Sequence, residues 1–331
     1  GFNLTLAGVI ADGGAAGSLT KVGAGTLTLT GANTFSGGLN VQVGTVAGAD
    51  ANFGAAGGPI SLGAGATTGT LQLTGDYDDA ANPRAFTINA GGGVIDRNGN
   101  DVTLNGAVGG AGALSLIGAG TFTLPVGNTI AGDFNNNAGT FRMDGTVGGN
   151  VVNAAGAFMQ GIGTVNGNLT NNGTLNPGNS AGIINVGGNY IENATLVIEL
   201  EPGTARATFP RTPGVHFDQV NVGLAATLNG TSTVDVRALN KGYIANGDTF
   251  AAVTAFGGVT DNGTTVIDNA NFMTFVGAVQ GNTFQLLARR TSYTAAAATS
   301  NQIAVARGLD SLAANTPQTD NTDAETLLAD L

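Results

Sequence analysis

This 331-residue sequence predicts an all-β protein: a right-handed parallel β-helix, a solenoid that ends in a C-terminal β cap and a short helical linker. Three observations carry that prediction. First, 56 glycines and 35 asparagines interrupt the chain every few residues while Thr, Val, Leu, Ile and Ala fill the intervals, which leaves no room for long helices over most of its length. Second, the intervals alternate. In Thr26-Leu27-Thr28-Leu29-Thr30 the leucines share one face and the threonines the other, the period of a half-buried strand. Third, the sequence repeats. Gly17 to Gly37 aligns without a gap on Gly112 to Gly132 at an offset of 95, with 11 of 21 positions identical. A shorter period, about 17 to 18, recurs in the triplets Gly139-Thr140-Phe141, Gly156-Ala157-Phe158 and Gly173-Thr174-Leu175. So short a unit cannot bury its own apolar side chains, so it must stack. A propeller is the rival, but its blades repeat at about 40 to 50 residues.

The solenoid is assigned to residues 1–184. The chain opens in strand rhythm at Asn3-Leu4-Thr5-Leu6, echoed by Asp101-Val102-Thr103-Leu104, and no targeting segment precedes it; it reads as a piece of a longer protein with any such segment upstream. Stacking at roughly 4.8 Å sets Leu, Val, Ile and Phe in interior ladders, Thr and Asn in outer ones, and Gly or Asn at the turns. The offset of 95 then corresponds to five coils of 19, and Leu116, Pro125 and Val126, which break the pattern in the second copy, predict a distorted coil.

From about Asn185 the rhythm loosens into longer strands, among them Ala194 to Leu200, Asp218 to Val222, Ser232 to Val236, Thr249 to Thr254, Met273 to Val276 and Thr283 to Ala288. An open solenoid end exposes ladder hydrogen bonds, so residues 185–290 are assigned as the cap. Glu201 to Gly214, with three of the eight prolines, is a protruding loop. Residues 291–331 form the linker: Ile303, Val305, Ala306, Leu309 and Leu312 make a helical stripe, Thr299 and Gln302 have capping-box spacing, and an acidic stretch follows Thr316-Pro317.

Charge and composition exclude several functions. Twenty-two acidic residues face 11 basic ones, for a net charge of -11, and the densest cationic cluster is the pair Arg289 and Arg290, so nucleic acid is not a partner. The absence of cysteine removes disulfides, thiolate catalysis and Cys-ligated metals, and suits a chain that crosses a membrane unfolded. No apolar run reaches the length of a membrane-spanning helix.

The chemistry-bearing motifs favour structural roles. Gly178-Asn179-Ser180-Ala181-Gly182 satisfies the nucleophile-elbow pattern, with Glu199 and His216 following in hydrolase order. An elbow needs a strand before its serine and a helix after it, whereas Asn176-Pro177 precedes and strand-like Ile183-Ile184-Asn185-Val186 follows, which points to a turn between coils. His216 is the chain's one histidine, with no second His or Cys to share a metal. Asp76-Tyr77-Asp78-Asp79 lacks the spacing of a calcium loop. Gly91-Gly92-Gly93 and Gly109-Gly110-Ala111-Gly112 open no helix and carry no lysine, which argues against phosphate binding. Asp96 with Asp101 is a carboxylate pair of the kind a polysaccharide-active β-helix would use, though nothing separates it from turn acids. No cofactor or metal is expected.

Gly17 to Gly38 resembles, over its whole length, the passenger-associated β-strand repeat of Gram-negative autotransporters, the type V secretion family. Asn176-Pro177-Gly178-Asn179-Ser180-Ala181-Gly182, then Asp218 to Val222 and Leu228-Asn229-Gly230, is similar to the pertactin-like autochaperone region, and Asn301 to Ala306 resembles the segment before the membrane barrel. The resemblance implies a β-helix exported through a C-terminal β-barrel to the cell surface or medium; with the motifs above, the chain reads as a non-enzymatic, monomeric scaffold for adhesion, colonisation or virulence whose partner is a host surface protein or glycan. It further implies a folding template in the cap, for which the candidates are Val197, Ile198, Val220, Val222, Leu228 and Phe250. Pro202, Arg206, Phe209, Arg211 and His216 are the candidate interaction loop. The alternatives are a polysaccharide-active enzyme on the same fold, for which the absence of Trp leaves few sugar-stacking platforms, and a released factor acting on a host receptor.

Overall fold

The computed structural model describes residues 1–201, 211–239, 244–270 and 273–315. They form two compact units, one of residues 1–175 with 185–190, the other of 176–184 with 191 onward. Both are built from stacked parallel strands, the architecture of a parallel β-helix.

In the first unit, one face stacks Leu4–Leu6, Thr26–Leu29, Gly44–Gly48, Gly69–Leu73, Gly93–Asp96, Leu114–Ile117, Phe134–Asn136, Val151–Asn153 and Leu169–Asn171 in parallel register. A second face runs from Leu19–Lys21 through Leu39–Val41, Ile60–Leu62 and Phe86–Ile88 to Thr164–Val165. A third begins only at Tyr77–Asp78 and continues through Val102–Thr103, Thr121–Leu124, Thr140–Met143 and Phe158–Gly161. Before it begins, that side of the earlier coils includes loops that bury Phe35 and Phe53 and a short 3-10 turn at Asp50–Asn52.

Alternation decides what goes inside. Thr26–Leu29 buries its leucines and keeps its threonines half exposed, as the period requires. Register then aligns the inward residues into a column: Leu27, Val46, Leu71, Ile95 and Leu116 lie on successive coils, each nearly or fully buried. Burying each such side chain is worth roughly 1.5–3 kcal/mol. On the third face Tyr77, Val102, Phe122, Phe141 and Met159 do the same. Phe122, Phe134 and Phe141 pack ring against ring, with centroids 4.2 to 5.9 Å apart.

Three expectations are corrected. Asparagine is not confined to outer ladders and turns: beyond Leu116 the inward column continues as Asn136, Asn153 and Asn171, all fully buried. Asn136 Nδ2 donates to Asn153 Oδ1 at 2.9 Å, and Asn153 Nδ2 to Asn171 Oδ1 at 2.8 Å. A carboxamide both donates and accepts, so a stack of them pairs member to member where aliphatic side chains would only pack. Nor are the coils uniform. The coil that carries Val46 up to Leu71 is markedly longer than the one that carries Phe134 up to Val151, because turns lengthen while the ladders keep register. The offset of 95 is therefore not five coils: Leu19–Lys21 lies on the second face, whereas its copy Leu114–Ile117 lies on the first. Finally, the second copy is not distorted. Leu116 sits in the core, Pro125 accepts the turn bond from Asn128 N at 3.1 Å, Val126 faces solvent, and pairing from Thr121–Thr140 through Leu124–Met143 is unbroken.

The second unit has longer coils. Thr195–Leu200 pairs in parallel with Thr233–Ala238, Gln219–Val222 with Thr249–Ala255, and Ala226–Leu228 with Val259–Asp261. Direction then reverses: Thr283–Arg290 runs antiparallel to Thr249–Ala255 and to Met273–Gln280. A hairpin ends the parallel stack without the crossover that another parallel strand would require. In the helix Ser300–Asn315, Ala306, Leu309 and Leu312 of the expected stripe pack with Tyr293 and Ala297, while Val305 is exposed. The capping box is present: Thr299 Oγ1 accepts from Gln302 N at 3.3 Å, and Gln302 Oε1 accepts from Thr299 N at 2.9 Å. Among the described residues no helix is long and apolar enough to cross a membrane.

Candidate functional site

The six template candidates all lie in the second unit and are buried to 2% exposure or less. Alternation explains Ile198, which shares the inward face of Thr195–Leu200 with Leu196 and Leu200. Val197 points the other way and is equally buried, so this strand is covered on both sides. Val220 and Val222 stand opposite Val253 and Ala255 in the parallel pair, and Leu228 ends the strand that pairs with Val259–Asp261. Phe250 makes edge contacts with Phe217 at 5.6 Å and Phe275 at 6.2 Å between ring centroids, which ties the parallel strands to the closing hairpin.

Beside this core, the turn at 176–182 is fastened to the strands around it. Asp218 is fully buried and accepts two backbone N–H bonds, from Gly182 to Oδ1 and from Glu199 to Oδ2, both at 2.8 Å. Burial, reinforced by the charges of Glu199 and Glu201, pushes its carboxyl up to about 8 against the pull of those two bonds. Gln219 N returns a bond to Gly182 O at 2.9 Å. Ser180 is held at φ +130, a conformation rare outside glycine, and its hydroxyl donates to Glu201 Oε2 at 2.9 Å.

That geometry is not a nucleophile elbow. The hydroxyl of Ser180 is directed to Glu201 and not to His216, whose Nδ1 accepts from Thr212 N at 2.9 Å, and the strand Ile183–Val186 follows where an elbow needs a helix. The other acids hold turns. Asp76 accepts from Asp101 N, Asp101 from Thr121 N, and Asp79 from the backbone N–H groups of Arg84 and Asn105. Asp96 receives the side-chain amide of Gln72 at 2.8 Å.

Of the expected interaction loop, Pro202, Arg206 and Phe209 lie outside the described residues. Arg211 is a correction: it is buried, paired with the equally buried Asp248 at 3.3 Å, because a guanidinium and a carboxylate out of water need one another. His216 is half-buried at the turn. The buried Asp218 and the asparagine column were not foreseen; Asn136, Asn153 and Asn171 do recur at the same short period that is visible in the glycine triplets.

The family model of the passenger-associated-transport-repeat matches residues 19–47. That span holds the strands Leu19–Lys21, Thr26–Leu29 and Leu39–Val41 and all but the last residue of Gly44–Gly48, two strands from each of the first two faces. With the stacked parallel fold, the repeat defines the class that the chain resembles: it is similar to the passengers of autotransporters, which are displayed on or released from the surface of Gram-negative bacteria. The chain is 30% identical over 237 residues to the adhesin BmaC autotransporter of Brucella suis biovar 1 (strain 1330), a match covering 63% of this chain and 6% of that protein. It is 29% identical over 223 residues to an extracellular serine protease of Serratia marcescens, covering 64% of this chain and 20% of that one. The chain thus spans a small part of the length of both curated relatives.

Proposed function

We propose that this chain is a non-enzymatic length of passenger β-helix that presents an adhesive or host-contacting surface, and that its second unit is a folding template during export through the protein's own β-barrel. One observation carries the non-enzymatic reading: among the described residues, the candidates for chemistry that the sequence offers are engaged in the fold, with Ser180 on Glu201, Asp218 on two backbone amides, and Asp76, Asp79 and Asp101 on turns. The adhesin relative supports the binding role. For the template, support comes from the dense apolar packing of Val197, Ile198, Val220, Val222, Leu228 and Phe250 around the reversal of strand direction, while 291–331 would act as the linker toward the barrel. Folding this unit first would give arriving coils an edge to pair with and let their burial of apolar surface draw the chain outward.

The test uses the purified chain and its Ser180→Ala variant. Binding to host cells or to a glycan array by both forms, with no hydrolysis of ester and peptide panels by either, is the expected result. Hydrolysis by the wild type that Ser180→Ala abolishes would turn the assignment toward the protease named among the relatives.

A further inference from the structure

Two turns of the first unit, offset by 95 in the sequence, enclose a buried cation in the same set of backbone carbonyls. In the first, Lys21 Nζ donates to Val22 O at 3.2 Å, to Val43 O at 3.1 Å and to Gly23 O. Adding 95 to those three acceptors gives Ile117, Gly118 and Ala138. The residue matching Lys21 is Leu116, which has nothing to donate, yet these carbonyls are satisfied: Arg97 Nε donates to Ile117 O at 3.4 Å, and Nη2 to Gly118 O at 2.9 Å and to Ala138 O. Its Nη1 reaches Thr140 O at 2.8 Å. Arg97 comes from the preceding coil, just past Ile95, which pairs with Leu116.

The wall of the two turns matches as well. Gly44 and Gly139, separated by the same offset, have φ of +75 and +64. A Cβ on Gly44 would lie 2.7 Å from Gly23 O and 2.8 Å from Lys21 Nζ; one on Gly139 would lie 3.0 Å from Gly118 O and 2.8 Å from Arg97 Nη2. Only glycine lets the cation in. The coincidence is not one of position on the solenoid, because the two copies stand on different faces.

We propose that the passenger-associated repeat contains a cation socket, a ring of turn carbonyls whose ligand is an ammonium or guanidinium group, filled by Lys21 from within one copy and by Arg97 from the neighbouring coil in the other. Converging carbonyls that have turned away from the ladder repel one another; Ile117 O also takes a backbone bond, from Arg97 N at 3.1 Å, and burying the others without a donor is costly. An ammonium offers three donors; a guanidinium offers five on a longer arm, which suits delivery from a coil away. Arg97 is fully buried, and although burial lowers it to about 10, it is still a cation at neutral pH. The socket is independent of what the passenger binds.

The experiment moves the cation. Arg97→Leu, Leu116→Lys and the double variant are compared by thermal unfolding and by hydrogen exchange of the amides in 117–140. Arg97→Leu is expected to melt several degrees lower and to lose protection in that segment. Leu116→Lys alone also loses stability, since two cations then compete for one ring, and the double variant recovers most of the loss. A double variant no more stable than Arg97→Leu overturns the proposal. If Arg97→Leu does not accumulate, the comparison is read as yield of soluble, protease-resistant chain: recovery by Leu116→Lys supports the socket, and no recovery overturns it. Independently, methylammonium should raise the melting temperature of Lys21→Ala more than sodium at equal ionic strength, with no such difference for the wild type; an equal effect of the two salts would count against an ammonium ligand.

Discussion

Gly139 and Gly127 separate two reasons for a glycine. Both have positive φ, +64 and +86, but a Cβ on Gly139 would meet Gly120 O at 2.7 Å whereas nothing lies within 4 Å of one on Gly127. Gly127→Ala should therefore cost only the left-handed backbone term, about 1–2 kcal/mol, and Gly139→Ala more, because backbone must move; chemical denaturation of the two variants checks the order. Asp218 makes a prediction of opposite character. Its folded-state value near 8 stands above the unfolded value near 3.8, so the folded state holds the proton more tightly and this group's contribution is full below about pH 4. Stability of the second unit should fall as pH rises from about 4 to about 8, by up to about 1.4 kcal/mol per pH unit. Asp218→Asn should flatten that dependence while lowering stability overall, since one carboxamide oxygen cannot replace two acceptors. Unfolding measured at several pH values decides it. The sequence places Gly139 in a recurring triplet and Asp218 at the head of a strand, but that a Cβ on Gly139 would meet backbone and that Asp218 is buried follow only from the structure.

Among elements, the asparagine column shows where pattern alone misleads. Polar residues in strand rhythm read as outward-facing, yet Asn136, Asn153 and Asn171 face inward because each is on the buried parity of its strand and finds its partner one coil away. Asn153 also donates to Thr174 O at 3.0 Å. Asn153→Ala should cost roughly 2–4 kcal/mol, from the cavity and from acceptors left unpaired, with loss of hydrogen-exchange protection concentrated in coils 134–175. Local elements were more legible. The capping box at Thr299 and Gln302 and the buried leucines of Thr26–Leu29 follow from neighbours in sequence, whose spacing already specifies the contact.

For the molecule as a whole, the template reading ties export to the core of the second unit. Val220 is fully buried opposite Val253, and Val220→Asp places an unpaired carboxylate there at a cost of several kcal/mol. In the full-length protein the expected outcome is a sharp fall in passenger reaching the cell surface and in its protease resistance, while Thr227→Asp, at a half-exposed site on Ala226–Leu228, should leave both near wild type. Equal display of Val220→Asp and wild type would end the template reading.

Alternation and glycine spacing, both properties of the linear chain, determined that this protein stacks short strands and hides aliphatic side chains between them, because so short a strand has no other way to bury its face. Which wall of the solenoid each repeat occupies, which asparagines turn inward, and that Arg97 stands in for a lysine absent from position 116 follow only from the assembled coils. The ladder constrains strands laterally and tolerates turns of any length. Coils as unequal as Phe134 to Val151 and Val46 to Leu71 therefore stack equally well, and sequence distance ceases to measure position around the axis.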